Sequence, residues 1–292
     1  MGNMPAAGIS AALVLLVGAC STGSGPSTAR TPSPRASPSA VSSAPVLPGG
    51  AGHVFVIVME NRSFSQAMAQ PYTAELAAKY ALATNYHAVA HPSLPNYLAL
   101  TSGSTWGVTD DAYHRLPAGG IGAQLTQAGL DWRAYMEGMG GDCLTDTSDY
   151  AVKHNPFAYY GGACPSNVVP LTQLQGDLAA GSPAFVWITP DLCHDGHDCS
   201  AATADDFLRD LVPRLLATQA WQSNGLLLIT WDEDDGSSSN QVPALVIAPS
   251  LRIHSSEHAY DHYSLLATVE DRLGLPRLGK AAQATPMSDF FG

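Results

Sequence analysis

The sequence predicts an α/β domain with a mainly parallel central sheet and helices on both faces. Three observations predict it. Short runs rich in Val, Ile and Leu recur at 53–59, 184–189 and 225–231, as in strands buried on both faces. Helical patterns lie between such runs, and alternation of strand and helix implies parallel pairing. Each run also stops at acidic or amide side chains: Glu60–Asn61, Asp191, and Asp232–Glu233–Asp234–Asp235. Ligands of open α/β sheets bind beyond the carboxyl ends of the strands. Carboxylates delivered to that edge point to a hard cation or to phosphate chemistry.

The elements follow in order. A strand is expected over 53–59 and a helix over 73–83. A helix should open near Ser93, with Pro95 at its first position, where proline is well placed. Strands follow over 131–136 and 184–189. Between them, 138–170 is rich in Gly, Asn and Pro, holds two cysteines, and reads as a stapled insertion near the site. A helix over 203–218 should open on a Thr203 cap, with Asp205–Asp206 in its first turn, and be kinked or divided at Pro213. Strands over 225–231 and 243–249 precede a helix over 262–273, closed by Gly274 and Pro276.

Residues 9–19 are apolar and uncharged but too short to span a bilayer. They end in Val17-Gly18-Ala19-Cys20, which resembles a bacterial lipoprotein signal with Cys20 as the lipidation site, although no Lys or Arg precedes Ile9. Residues 21–50 are mostly Ser, Thr, Pro, Gly and Ala with only Arg30 and Arg35 charged, a flexible tether. The expected organisation is therefore a leader over 1–20, a disordered tether over 21–50 and one domain over 51–292. The protein is expected outside the cytoplasm, lipid-anchored to the cell membrane or secreted.

Net charge is −12, with both tether charges positive, so the domain is more acidic still. That argues against binding nucleic-acid backbones. Besides Cys20 there are Cys143, Cys164, Cys193 and Cys199. An even count in an exported domain reads as two disulfides. Three pairings are possible; Cys143–Cys164 with Cys193–Cys199 closes the shortest loops. A zinc site is the rival reading, but no C-x-x-C spacing occurs.

The segment His91-Pro92-Ser93-Leu94-Pro95-Asn96-Tyr97-Leu98-Ala99-Leu100 carries the most chemistry. Ser93 falls at a helix N-terminus, where free N–H groups and the helix dipole favour an anion. A hydroxyl there is placed to attack phosphorus, with Asn96 donating to a phosphate oxygen. An ordinary serine cap gives the same local pattern.

Ser93-Leu94-Pro95-Asn96-Tyr97 resembles the nucleophile segment of the alkaline phosphatase superfamily. Glu60-Asn61-Arg62-Ser63 resembles the E-N-R-S motif of its phosphoesterase branch, which holds acid phosphatases and bacterial phospholipases C. Thr230-Trp231-Asp232-Glu233 resembles that branch's T-x-D-E motif, Asp195-Gly196-His197-Asp198 its D-x-H-D motif, and His262-Tyr263 with Leu265 and Leu266 its C-terminal segment. These motifs, in the right order, cover nearly all of 53–279. The phospholipases C typically extend E-N-R-S-F with D-H-Y-F-G and D-E with H-G-G-F-Y-D-H. Here those places read Ser65-Gln66-Ala67 and Asp234-Asp235-Gly236-Ser237-Ser238, so the chain leans to the acid phosphatases.

The resemblance implies an alkaline-phosphatase-like fold and a metal-dependent phosphomonoesterase working through a phosphoserine. Glu60, Asn61, Asp232 and Glu233 are then ligands of a divalent cation (Mg, Ca, Mn or Zn). Ser93, Asn96, His197 and His262 are catalytic, and Lys153 and His154 hold the substrate phosphate. Asp191, Asp195, Asp198, Asp234 and Asp235 support these residues or hold a second metal. Phosphate monoesters are the expected substrates, phosphoinositide phosphates among them. The expected partner is the membrane, through the lipid anchor; no nucleic acid or protein partner is implied. A phospholipase C-type phosphodiesterase and a non-catalytic surface lipoprotein on the same fold are the alternatives.

Overall fold

The computed structural model describes residues 52–236 and 239–291. The leader, Cys20 and the 21–50 tether lie outside the described residues. The strands are β1 (Val54–Met59), β2 (Ala81–Ala83), β3 (Tyr86–His87), β4 (Trp132–Met136), β5 (Val168–Pro170), β6 (Phe185–Thr189), β7 (Leu226–Trp231), β8 (Ala244–Ile247), β9 (Ser255–Ser256) and β10 (Tyr260–Asp261). The helices are α1 (Phe64–Met68), α2 (Pro71–Lys79), α3 (Ser93–Ser102), α4 (Gly120–Gln127), α5 (Leu174–Ala180), α6 (Ala201–Leu216), α7 (Gln219–Gln222) and α8 (His262–Leu273).

The main sheet runs β5-β4-β6-β1-β7-β8-β2-β9. Its first five strands are parallel, while β8 is antiparallel to both β7 and β2. Strand β1 sits at the centre because every one of its side chains is apolar and buried. Each large aliphatic side chain taken from water there contributes about 1.5–3 kcal/mol. Helices α3 and α8 pack on each other and α8 reaches β1, while α2 packs on α6. A separate pair, β3 and β10, brings Tyr86 beside Tyr260 and so fixes where α8 begins.

Four local expectations are corrected. The helix expected over 73–83 ends at Lys79, and 81–83 leaves it to form a short strand between β8 and β9. Helix α3 begins at Ser93 itself, so Pro95 is its third residue; proline fits there too, because first-turn N–H groups have no partner within the helix. Helix α6 is capped by Ser200, whose Oγ accepts from Thr203 N at 3.2 Å. The carboxylate of Asp205 instead accepts from Tyr72 N, Thr73 N and Thr73 Oγ1 at 2.7–2.9 Å, tying down the start of α2. Pro213 does not divide α6: it lies in the last turn, where the buried face of Leu208, Leu211, Val212 and Leu215 holds the helix together.

The disulfides are Cys143–Cys164, across the 138–170 insertion, and Cys193–Cys199, across the loop between β6 and α6.

Candidate active site

The register of the central strands builds the site. Met59 pairs with Trp231 in parallel, so Glu60 and Asp232 leave the sheet side by side. Asp232 N donates to Met59 O at 2.9 Å, and Asn61 N donates to Asp232 Oδ1 at 3.2 Å. That contact holds Asn61 at φ 47°, a left-handed conformation that asparagine tolerates better than most residues. The loop after β6 folds back so that Asp195 O accepts from Glu60 N at 2.9 Å. The insertion contributes His154, only 2% exposed, whose ring stacks on Tyr97 at 5.5 Å. Glu60, His154 and Asp195 place one ligand atom each within 4.8 Å of one another.

Ser93 faces this group from the head of α3. Its Oγ lies 3.2 Å from Glu60 Oε2 and 3.2 Å from Glu233 Oε1. The other Glu233 oxygen is 2.5 Å from His91 Nδ1, and His91 is half-exposed. Four residues along α3, Tyr97 donates to Glu60 Oε1 at 2.5 Å. Residues i and i+4 share a helix face, so nucleophile candidate and Tyr97 grip the two oxygens of one carboxylate.

The electrostatics are those of crowded anions. Burial, compounded by Asp232 and Asp195, pushes the Glu60 carboxyl well above the usual carboxylate range. Burial drives Asp195 up to about 8, against the pull of the His197 N–H. Burial and the Glu233 charge drive Asp232 to about 8. Burial, helped by Lys153 and His197, holds His154 well below its ordinary value, so its imidazole is neutral.

The residues fit a divalent cation. His154 Nε2 lies 3.3 Å from Glu60 Oε1, and Asp195 Oδ2 lies 3.3 Å from His154 Nδ1. Yet His154 Nε2, Asp195 Oδ2 and Asp232 Oδ2 are all buried without a hydrogen bond. Orphaned buried acceptors are costly, and a neutral imidazole among carboxylates is a donor set for a metal ion. His154, expected to hold phosphate, therefore belongs to this inner group. Glu60 and Asp232 stand where the sequence put them, and Asn61 and Glu233 flank them.

Above the group stand Lys153 and His197. Lys153 Nζ is 3.0 Å from Asp111 Oδ2 and 3.3 Å from His197 Nε2. Burial opposes its charge, but the hydrogen bond and charge of Asp111, with Glu60 and Asp232 behind, raise its pKa on balance. His197 Nδ1 is held by Asp198 at 2.7 Å.

Two expected substrate contacts face inward instead. Asn96 is fully buried: its Oδ1 accepts from Val89 N and Ala90 N, and its Nδ2 donates to Ala90 O and Pro92 O. It shapes the turn before Ser93 and has no atom left for a phosphate oxygen. His262 is fully buried between Tyr86 Oη, 2.9 Å away, and the Asp232 carbonyl oxygen, 2.6 Å away. Burial lowers its pKa to about 4. It braces the Asp232 backbone and cannot reach a leaving group.

Asp234 accepts from Gly236 N and Asn240 N and pins the turn after β7, and Asp235 accepts from Gln66 Nε2 at 2.7 Å. Asp191 stands apart, grouped with Glu137 and His194, and the latter two line a cleft of about 660 Å³. Sequence reasoning missed Tyr97 and Asp111 and assigned His91 no role. Tyr97 and His91 lie within the Ser93 segment, where helical spacing from Ser93 was the available signal for Tyr97. Asp111 carries no local signal.

The fold belongs to a known class. A protein of the alkaline phosphatase superfamily from Vibrio parahaemolyticus superposes with a TM-score of 0.59 at 12% identity, over 80% of this chain and 69% of its own. The C-terminal periplasmic domain of EcEptC from Escherichia coli, in complex with Zn, gives 0.54 at 11% identity, over 80% and 87%. Within that class, residues 66–276 match the Phosphoesterase family, and the chain belongs to it. A phosphatidylinositol-3-phosphatase of Mycobacterium tuberculosis is 33% identical over 82% of this chain and 83% of its own length. An acid phosphatase of Aspergillus fumigatus is 30% identical over 77% of this chain, which spans only 56% of that longer protein.

Proposed function

We propose that this phosphoesterase is an exported, metal-dependent phosphomonoesterase that works through a phosphoserine at Ser93. One observation carries the reading: the Ser93 hydroxyl, at a helix head, lies within hydrogen-bond reach of two carboxylates beside buried acceptors that lack partners. Monoester chemistry is supported by the similarity to an acid phosphatase and to a phosphatidylinositol-3-phosphatase. By the same similarity, phosphoinositide phosphates are candidate substrates. Two disulfides support an oxidising compartment; the lipid anchor at Cys20 rests on the sequence alone.

Glu60, His154, Asp195 and Asp232 would hold the cation, with Asn61 and Glu233 beside them. When bound, it would favour the Ser93 alkoxide and offset charge on the phosphate. The chain's own groups supply the rest. Glu233, touching Ser93 Oγ with one oxygen and His91 with the other, is placed to take the serine proton toward the surface. Ser93 Oγ then attacks phosphorus and the bond to the leaving oxygen breaks. His197, with Nδ1 oriented by Asp198, is placed to give that oxygen a proton from Nε2 when its ring enters the step carrying protons on both nitrogens. Lys153 offers a charged donor to the phosphoryl oxygens. Water then hydrolyses the phosphoserine.

The test is phosphate release from matched aryl phosphomonoester and phosphodiester substrates, with and without chelator. Monoester preference and loss of activity on chelation are expected. A diester preference of about tenfold, roughly 1.4 kcal/mol in transition-state terms, would replace this reading with the phospholipase C-type one.

A further inference from the structure

Asp111 lies in the segment between α3 and α4, outside every motif that identifies the family. Its carboxylate has two partners. Oδ1 accepts from Leu94 N at 3.0 Å, and Oδ2 accepts from Lys153 Nζ at 3.0 Å. Leu94 follows Ser93 directly, so its N–H is a backbone donor beside the proposed point of attack. Lys153 Nζ is the charged donor on the same side. An anionic side chain thus bridges two groups that a phosphate on Ser93 needs, and it does so from a half-buried position, 29% exposed, where it can be displaced.

The two donors differ in capacity. The Lys153 ammonium has three N–H groups and can keep Asp111 while accepting a phosphoryl oxygen. Leu94 has a single N–H, which serves either Asp111 or the substrate. Moreover, a fixed carboxylate next to an incoming dianion costs binding energy, and it spends on itself part of the attraction that Lys153 would otherwise give the phosphate.

Resting on the phosphomonoesterase reading, we propose that Asp111 is an affinity-setting residue: an internal carboxylate that occupies the Leu94 amide and the Lys153 ammonium until a phosphate group displaces it from the amide. Ligands must then outbid Asp111, which weakens binding of phosphate groups generally and of the inorganic phosphate product in particular. Relieving it tightens both substrate and product. Product release is slowed when the carboxylate is absent, because nothing competes for the amide.

The test uses the divalent-cation-loaded protein and inorganic phosphate as the probe. Its dissociation constant is measured by calorimetry, and its inhibition constant against an aryl phosphomonoester is measured in parallel. Asp111→Asn, which keeps the shape but not the charge, is expected to bind phosphate at least about fivefold more tightly, with KM lowered in step and kcat not raised. Asp111→Ser, whose shorter side chain releases Leu94 N while staying polar, covers the case in which the first variant folds poorly; melting temperatures of both are read alongside. Adding Lys153→Met to Asp111→Asn should remove most of the gain, because the two groups share one ligand. Unchanged phosphate affinity with a lower melting temperature would reduce Asp111 to a helix cap and overturn the proposal. Weaker affinity would overturn it too, making Asp111 an orienting partner of Lys153. A wild-type protein that neither hydrolyses monoesters nor binds phosphate would instead refute the parent reading, and this inference with it.

Discussion

Tyr97 donates to Glu60 Oε1 at 2.5 Å, both groups fully buried. The contact fixes one oxygen of a carboxylate whose other oxygen faces Ser93. Tyr97→Phe removes the donor without changing the shape of the core. Outer partners of this kind typically matter by ~10–100-fold in activity or metal affinity. We expect kcat to fall within that range, a weaker hold on the cation, and a stability loss of about 1–3 kcal/mol from the unpaired oxygen. An unchanged metal titration would show that Glu60 is oriented by something else.

Ser93→Ala should lose roughly a thousandfold or more in kcat while the protein stays folded. Quenched wild-type reactions should show a phosphorylated peptide containing Ser93 by mass spectrometry. Near-normal turnover by folded Ser93→Ala would transfer the nucleophile's role to water.

Removing the cation should expose a pH dependence. Glu60, Asp195 and Asp232 have folded pKa values raised by burial and by one another, Asp195 and Asp232 to about 8 from about 4. A carboxyl whose folded pKa is raised favours the folded state fully below its unfolded value, and that advantage is lost as pH rises toward the folded one. Chelated protein should therefore melt at a lower temperature at pH 8 than at pH 5, and added divalent cation should narrow the difference. A chelated protein with equal melting temperatures at the two pH values would contradict the crowding of these acids.

The Cys193–Cys199 bond closes a loop that contains Asp195, His197 and Asp198. Replacing both cysteines with serine should cost about 2 kcal/mol, as expected for so short a loop. Activity should suffer more than stability, because His197 loses its fixed relation to Lys153. Equal turnover per folded molecule would show that the loop holds its shape unaided.

What the sequence made legible was whatever sits in a short stretch of chain. Glu60 and Asp232 were placed correctly because a buried strand's end fixes where the next residue goes. Ser93 was placed because a helix start has local chemistry. The direction in which a loop side chain faces has no such signature. Asn96 and His262 were read as substrate contacts, yet both turn inward and spend every polar atom on the scaffold. His154 looked like a phosphate ligand beside Lys153, but a tight helical turn sends the two neighbours to different partners, His154 to the buried Glu60 and Lys153 to Asp111. Asp111 and Asp205 act across long separations in the chain, 42 residues to Lys153 and 132 to Thr73, and only the folded chain reveals them.

The insertion stapled by Cys143–Cys164 carries both Lys153 and His154. The site thus draws on the sheet edge and on an insertion whose covalent closure needs an oxidising compartment. In a reducing compartment the segment that sets His154 beside Glu60 and Lys153 beside Asp111 would lack its staple. Completion of the site would then coincide with the chain's exposure to an oxidising environment.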